Sequence, residues 1–288
     1  MNYVINFIKR IYQIVFIASR CNIVVYQKAV IPKSKINLIK YIKKKNIKVI
    51  FDVDDAIFLD KRDNSNEIAT LADVVVVGNT TLQEYYNNYA KNIILIPTID
   101  YTPDYEKFHK YTFKNKCVGW IGSHSTINNL DLVVHSLNRL NEKYPDTYFK
   151  FICDDSYGYD EKIKSSKFVN WNKNTYLQEM QEFTVGIMPL RNTDYNSGKC
   201  GFKLIQYLNM KKPVIASDIG VNRTIVDSNG LVADTSEEWI HALEKLLYNE
   251  KRYNDCIRSI ERIFYKKYHY NKIRDKWLDI LDGKEILE

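Results

Sequence analysis

Short apolar runs alternate with amphipathic stretches along nearly the whole chain. Asn22–Tyr26, Lys48–Phe51, Asp73–Val77 and Asn92–Ile96 read as strands, rich in Val, Ile and aromatic residues as sheets buried on both faces are. Residues 2–19, 33–48, 65–72 and 81–90 carry the pattern of helices. Gly78-Asn79-Thr80 reads as a turn and helix cap. The periodicity is lost over 98–115, where Tyr, Pro, Asp and Lys gather, and this stretch reads as an interdomain linker. It restarts with strands at Cys117–Ile121, Tyr148–Cys153, Phe168–Trp171, Val185–Met188, Val214–Ala216 and Gly230–Ala233. Helices are predicted over 127–144, 176–183, 236–248, 251–267 and 270–281. Strand and helix in alternation predict parallel sheets with crossover helices, here two α/β domains in tandem, 1–112 and 113–267.

Composition narrows this modestly. With 45% hydrophobic and 27% charged residues, the chain has the make-up of a soluble globular protein. Cys21, Cys117, Cys153, Cys200 and Cys256 are odd in number and lack metal-ligand spacing, so a reduced, cytoplasmic setting with free thiols is expected and no metal site is predicted. The net charge of +7 predicts an anionic partner, a nucleotide or a phospholipid surface. Nucleic acid is set aside because no recognition motif accompanies the charge.

Two basic stretches carry paired readings. The N-terminal apolar segment is broken by Lys9 and Arg10, too short and too charged to span a membrane, and it lacks the pattern of a cleaved leader. Ile5, Ile8, Tyr12, Val15 and Phe16 can share one face, which packs on the sheet or lies on a membrane surface. Residues 33–48 hold seven lysines and no acid, with Ile36, Ile39 and Ile42 as an apolar stripe. That helix is a solvated surface or a contact with an anionic membrane, peripheral on its inner face.

The chemistry concentrates in 196–223, NSGKCGFKLIQYLNMKKPVIASDIGVNR. Gly198 frees the backbone before a helix whose Cys200, Leu204, Ile205 and Leu208 form a buried face. Lys199, Lys203 and Gln206, at i, i+4 and i+7, are expected to share another. Lys211, Lys212 and Pro213 end the helix. Two ammonium groups and an amide near a helix N-terminus make a seat for a diphosphate. Gly122-Ser123-His124-Ser125, between a strand and a helix, either offers backbone N–H groups to phosphate oxygens or is an ordinary turn capped by Ser125.

The pattern Gly-Lys-Cys-Gly-Phe-Lys-Leu-Ile-Gln-Tyr followed by Pro213-Val214-Ile215-Ala216-Ser217 resembles the donor-binding core of family-4 retaining glycosyltransferases of GT-B fold, in a bacterial surface-polysaccharide form. Gly119-Trp120-Ile121-Gly122-Ser123, Val185–Leu190 and Asp52-Val53-Asp54-Asp55-Ala56 continue the resemblance. The usual Glu, seven residues, Glu pattern is replaced by Gly198 and Gln206. The resemblance implies two Rossmann-like domains, the first shortened by a strand and its glycine loop, with a final helix in 268–288 crossing back to it. It implies sugar transfer from a nucleotide-sugar donor to a glycan or lipid-linked acceptor, with the nucleotide-sugar as substrate and no cofactor or metal required.

Residue by residue, the resemblance implies that Lys199 and Lys203 offset charge on the departing diphosphate, and that Gln206 meets the nucleotide ribose. Cys200 and Gly201 would offer backbone N–H groups to the sugar, and Asn222 and Arg223 would meet the pyrophosphate. Trp171 lies near the base or in the core. Asp52, Asp54 and Asp55 would either orient an acceptor hydroxyl or hold local loop bonds. A catalytically degenerate binding subunit is the alternative. So is a haloacid-dehalogenase-type phosphatase with Asp52 as nucleophile and Asp54 as acid/base, in which Ala56 departs from the usual residue.

Overall fold

A computed structural model describes residues 2–28, 36–60 and 63–284 of the chain. It divides into two compact units, each with its own parallel sheet. The first takes the residues up to Thr98, a short return at Ser197–Cys200, and the segment from Lys276. Its strands β1 (Ile23–Gln27), β2 (Lys48–Val53), β3 (Val74–Val77) and β4 (Ile93–Leu95) lie in sequence order and pair in parallel. Helix α1 (Asn2–Tyr12) precedes β1, and α2 (Ile36–Lys44), α3 (Ser65–Leu71) and α4 (Thr80–Tyr86) connect the strands. Asn79 caps α4 by accepting from Leu82 N at 2.8 Å, as its position after β3 predicts. The core joins Val49, Phe51, Val53, Val75 and Val77 to Ile39 and Ile42 of α2.

The second unit spans Ile99–Asn196 and Gly201–Asp275. Its strands are β5 (Cys117–Ile121), β6 (Tyr148–Cys153), β7 (Ser166–Asn170), β8 (Val185–Met188), β9 (Val214–Ala216) and β10 (Gly230–Val232). Their order is β10-β9-β8-β5-β6-β7, all parallel. Period-two alternation splits the apolar residues between the two faces. Val118, Trp120, Phe149 and Phe151 enter one core, while Cys117, Ile121 and Ile152 enter the other. Strand order reverses at β5 and β8, and open α/β sheets bind ligands beyond the carboxyl ends of strands at such a switch point.

Helices α5 (Thr102–Glu106), α6 (Val134–Lys143), α7 (Tyr159–Lys162), α8 (Tyr176–Met180), α9 (Asp194–Ser197), α10 (Phe202–Asn209), α11 (Asn222–Val226), α12 (Ser236–Tyr248), α13 (Glu250–Ser259), α14 (Tyr265–Tyr268) and α15 (Tyr270–Asp282) complete the described chain. From Lys276 onward α15 belongs to the first unit, where Ile280 O accepts from Lys48 Nζ at 2.6 Å.

Several expectations are corrected. The stretch 98–115 is no linker: it forms α5 and buries Thr102, Tyr105, Thr112 and Phe113 in the second unit, which begins at Ile99 rather than 113. The basic helix is shorter than 33–48. Lys33 and Lys35 lie outside the described residues, Lys43 pairs with Asp73 and Lys48 opens β2. Ile127–Leu132 is a 3-10 segment leading into α6. On α1 and the π turn Gln13–Ile17 that continues it, Ile5, Ile8, Tyr12 and Phe16 do not pack on the sheet; all are more than half exposed, while Val15 is half-buried and Ile14 on the opposite side is buried.

Candidate functional site

Helix α10 starts one turn later than its apolar spacing predicts. Gly201 stands before it with φ 67°, a left-handed conformation that glycine adopts without a Cβ penalty. Lys199 and Cys200 therefore precede the helix, and Lys199 does not share a helix face with Lys203 and Gln206. Lys199 and Cys200 belong to the first unit, while Gly201, Lys203 and Gln206 belong to the second.

In the second unit, a cavity of about 430 Å³ is lined by Gly122 and Ser123 after β5, Trp171 and Lys173 after β7, and Lys203 and Gln206 of α10. Asp100, Ile121, Tyr176 and Phe202 complete it. Trp171 is 46% exposed, which removes the core alternative. Its ring lies 6.1 Å from that of Tyr176, offering an aromatic face to a planar ligand. Lys203 Nζ sits 5.8 Å over the Trp120 ring.

Gln206 is buried and bound within a polar triad. Its Nε2 donates to Asp100 Oδ2 at 3.3 Å and to the Tyr105 hydroxyl at 3.2 Å. Tyr105 in turn donates to Asp100 Oδ2 at 2.5 Å. Burial first, and then the Asp100 charge, raise the Tyr105 pKa and keep it a phenol donor. A carboxylate, that of Asp100, thus stands beside position 206. Sequence reasoning missed Asp100 because the supposed linker hid it; only its burial partners Tyr105 and Thr102 mark that stretch as structured.

The loop after β5 differs from expectation. Gly122 N donates to Ile152 O at 3.0 Å, Ser123 N to Thr126 Oγ1 at 3.2 Å and His124 N to Asp154 Oδ1 at 2.9 Å. These three N–H groups already have acceptors, so the loop presents hydroxyls, with Ser123 and Ser125 Oγ 3.0 Å apart. Ser125 does not cap a helix; Thr126 precedes the 3-10 segment. Asn222 is buried with its amide on Ser217 O at 3.0 Å, and Arg223 is paired with Asp218. Neither lines the cavity.

In the first unit, Lys28 Nζ lies 2.9 Å from Asp54 and 2.8 Å from Asp55 at the carboxyl ends of β1 and β2. Burial works against the Lys28 charge, but the two carboxylates outweigh it and raise its pKa. Asp52, half-buried beside them, has its pKa raised to about 6, first by burial and then by Asp54. Asn79 Nδ2 donates to Gly198 O at 3.0 Å and Lys199 O at 3.2 Å, and Cys200 Sγ donates to Asp54 O at 2.8 Å. Cys200 is buried in this core. A Cβ on Gly198 would stand 2.4 Å from that of Ala56, so this position has no room for the Glu of the usual pattern.

The two-sheet α/β architecture is that of the GT-B glycosyltransferases. Residues 115–249 match the sequence model of the family Glycosyl transferases group 1. Among solved structures, the chain is similar to S. aureus TarM in complex with UDP, fondaparinux and alpha-GlcNAc-glycerol, with TM-score 0.62 and 17% identity over 82% of this chain and 51% of that one. It is similar to the pneumococcal O-GlcNAc transferase GtfA with UDP and GlcNAc, with TM-score 0.63 and 15% identity over 86% and 54%. A UDP-forming trehalose-phosphate synthase from Burkholderia xenovorans matches with TM-score 0.67 and 11% identity over 99% and 80%. The chain spans about half the length of TarM and GtfA. No curated protein matches it in sequence.

Proposed function

We propose that the chain is a glycosyltransferase that moves a sugar, with retention, from a nucleotide-sugar to a glycan or lipid-linked acceptor. The observation that carries this reading is the cavity at the carboxyl ends of β5 and β7, where the ammonium groups of Lys203 and Lys173, two hydroxyl-binding groups and an exposed indole converge. Lys203 offsets the diphosphate charge, Gln206 and Asp100 meet a vicinal diol, and Trp171 stacks the base. Lys203 lies near the start of α10, where partial positive charge favours an anion. Lys199 is the second cation of the reading, and Asp54 and Asp55 are its acceptor-side carboxylates. The match over 115–249 and the UDP complexes of TarM and GtfA support the donor class. Surface polysaccharide or glycoconjugate synthesis is the setting we propose, by resemblance.

The degenerate-subunit reading is favoured by the two replaced carboxylates and by the shortened first domain, and Asp100, beside Gln206, weighs against the loss of one carboxylate. The phosphatase reading would leave the match over 115–249 without a role.

A thermal-shift series with UDP, GDP and ADP, with and without magnesium, tests the donor site. A selective rise with one nucleoside diphosphate that is lost in Lys203→Ala supports it, because a ligand stabilises the fold it binds. No rise with any nucleotide overturns it. Turnover of the matching sugar donor, lost in Lys199→Ala, separates an enzyme from a binding subunit.

A further inference from the structure

The first helix leaves an apolar stripe uncovered. Ile5, Ile8, Tyr12 and Phe16, spaced by three, four and four residues, are 55%, 61%, 57% and 52% exposed. Ile17 beside them is 54% exposed. The opposite side of the same helix carries Phe7, Ile14 and Ala18 into the core of the first unit. A helix apolar on both sides thus buries one and presents the other. Isolated exposed apolar residues need no explanation, but a continuous stripe marks an interaction surface.

The charges around the stripe say what covers it. Lys9 and Arg10 are exposed on this helix. Residues 1–51 hold eleven Lys and Arg and no Asp or Glu, although Lys28 and Lys43 are already paired with carboxylates elsewhere in the first unit. No helix among the described residues is long and apolar enough to cross a membrane. Through the wider π turn at Gln13–Ile17, α1 runs from Asn2 for about 24 Å, enough to lie along a bilayer interface. Tyr12 and Phe16 have ring centroids 5.0 Å apart; Tyr settles at headgroup depth and Phe is a residue that interfacial helices bury on their apolar face. A second copy of the chain would bring Lys9 and Arg10 against a like-charged helix with no acid to meet them.

We infer that α1 is a membrane-surface anchor, seating Ile5, Ile8, Tyr12 and Phe16 at the headgroup boundary of an anionic phospholipid bilayer while Lys9 and Arg10 meet the lipid phosphates. This holds independently of the activity proposed above. It places the membrane contact on α1 rather than on the 33–48 segment.

Co-sedimentation of the full chain with vesicles tests it, comparing phosphatidylcholine alone with equal parts phosphatidylcholine and phosphatidylglycerol. The expected result is at least about tenfold stronger partitioning onto the anionic vesicles, since each basic side chain near such a surface is worth about fivefold. Ile8→Glu with Phe16→Glu lowers it by about tenfold or more, with thermal unfolding unchanged because both side chains are exposed. Lys9→Glu with Arg10→Glu abolishes the preference for anionic vesicles. Equal partitioning of wild type and the Ile8→Glu/Phe16→Glu variant overturns the inference. So does absence of binding to either vesicle. A dimer in ultracentrifugation that this variant dissociates, without vesicle binding by wild type, assigns the stripe to a second copy and also overturns it.

Discussion

Gln206 Nε2 and the Tyr105 hydroxyl both donate to one oxygen of Asp100, at 3.3 Å and 2.5 Å. An amide at position 206 therefore answers a carboxylate already in place. Substituting Gln206→Glu, which restores the second Glu of the usual motif, sets two carboxylates together, and one of them must hold a proton or repel the other. We expect nucleoside diphosphate binding by Gln206→Glu to be about tenfold weaker at alkaline pH and to recover on acidification. Adding Asp100→Asn should restore it at both. Calorimetric titration of the single and double variants decides; unchanged affinity in Gln206→Glu would show that Asp100 has no part in the site.

Gly198 meets Ala56 with no space for a side chain. Gly198→Glu should therefore destabilise the fold by about 1 to 3 kcal/mol or more without raising transfer activity. Urea unfolding, read beside turnover, checks both.

Asn79 ties the Ser197–Cys200 return to α4: its Nδ2 donates to Gly198 O, Lys199 O and Cys200 Sγ, and its Oδ1 accepts from Leu82 N. Asn79→Ala removes a helix cap and leaves one buried and one half-buried carbonyl short of a donor. The expected loss is roughly 2 to 4 kcal/mol. A loss below half a kcal/mol, about the value of a plain surface change, would contradict this assignment.

Asp52 has a folded pKa of about 6 against an ordinary value of 3.8. The folded state then binds more protons than the unfolded one between those values, so stability falls as pH rises through that window. Asp52→Asn should flatten the fall and stabilise the protein at neutral pH by up to roughly 3 kcal/mol. Unfolding free energies across pH 4 to 7 are the measurement, and an unaltered slope in the variant counts against the shift.

Lys212 is fully buried, and its ammonium donates at 2.9 Å to Lys110 O, Thr112 Oγ1 and Gln181 O. Burial lowers its pKa to about 7. The unfolded chain holds the proton more tightly from there up to 10.5, so stability should rise with pH across that range. Lys212→Met should remove the rise and cost about 2 to 4 kcal/mol at neutral pH by stranding three acceptors.

How much of this was readable in advance depends on the range of the interaction responsible. The strands Cys117–Ile121, Val185–Met188 and Val214–Ala216 were legible to the residue, because burial on both faces imposes an unbroken apolar run. The start of α10 was not, since Cys200 fits its helical spacing yet is drawn into the core of the first unit. The stretch 98–115 looked like a linker because its burial rests on scattered Thr and Tyr side chains, each bound to a distant partner. Thr102 with Asn209 is one such pair.

The sequence by itself determined the α/β class and the strand sequence, which follow from local pattern; Gly122, Ser123, Trp171, Lys203 and Gln206, singled out by the resemblance, line one cavity. Tertiary structure alone decided that Asp100 stands beside Gln206, that the Gly122 to His124 amides are already satisfied, and that Lys199 lies outside the helix. It also decided which side of α1 faces solvent. An amphipathic period shows that a helix has two sides; where both are apolar, only the packing of the rest of the chain selects the one that is covered.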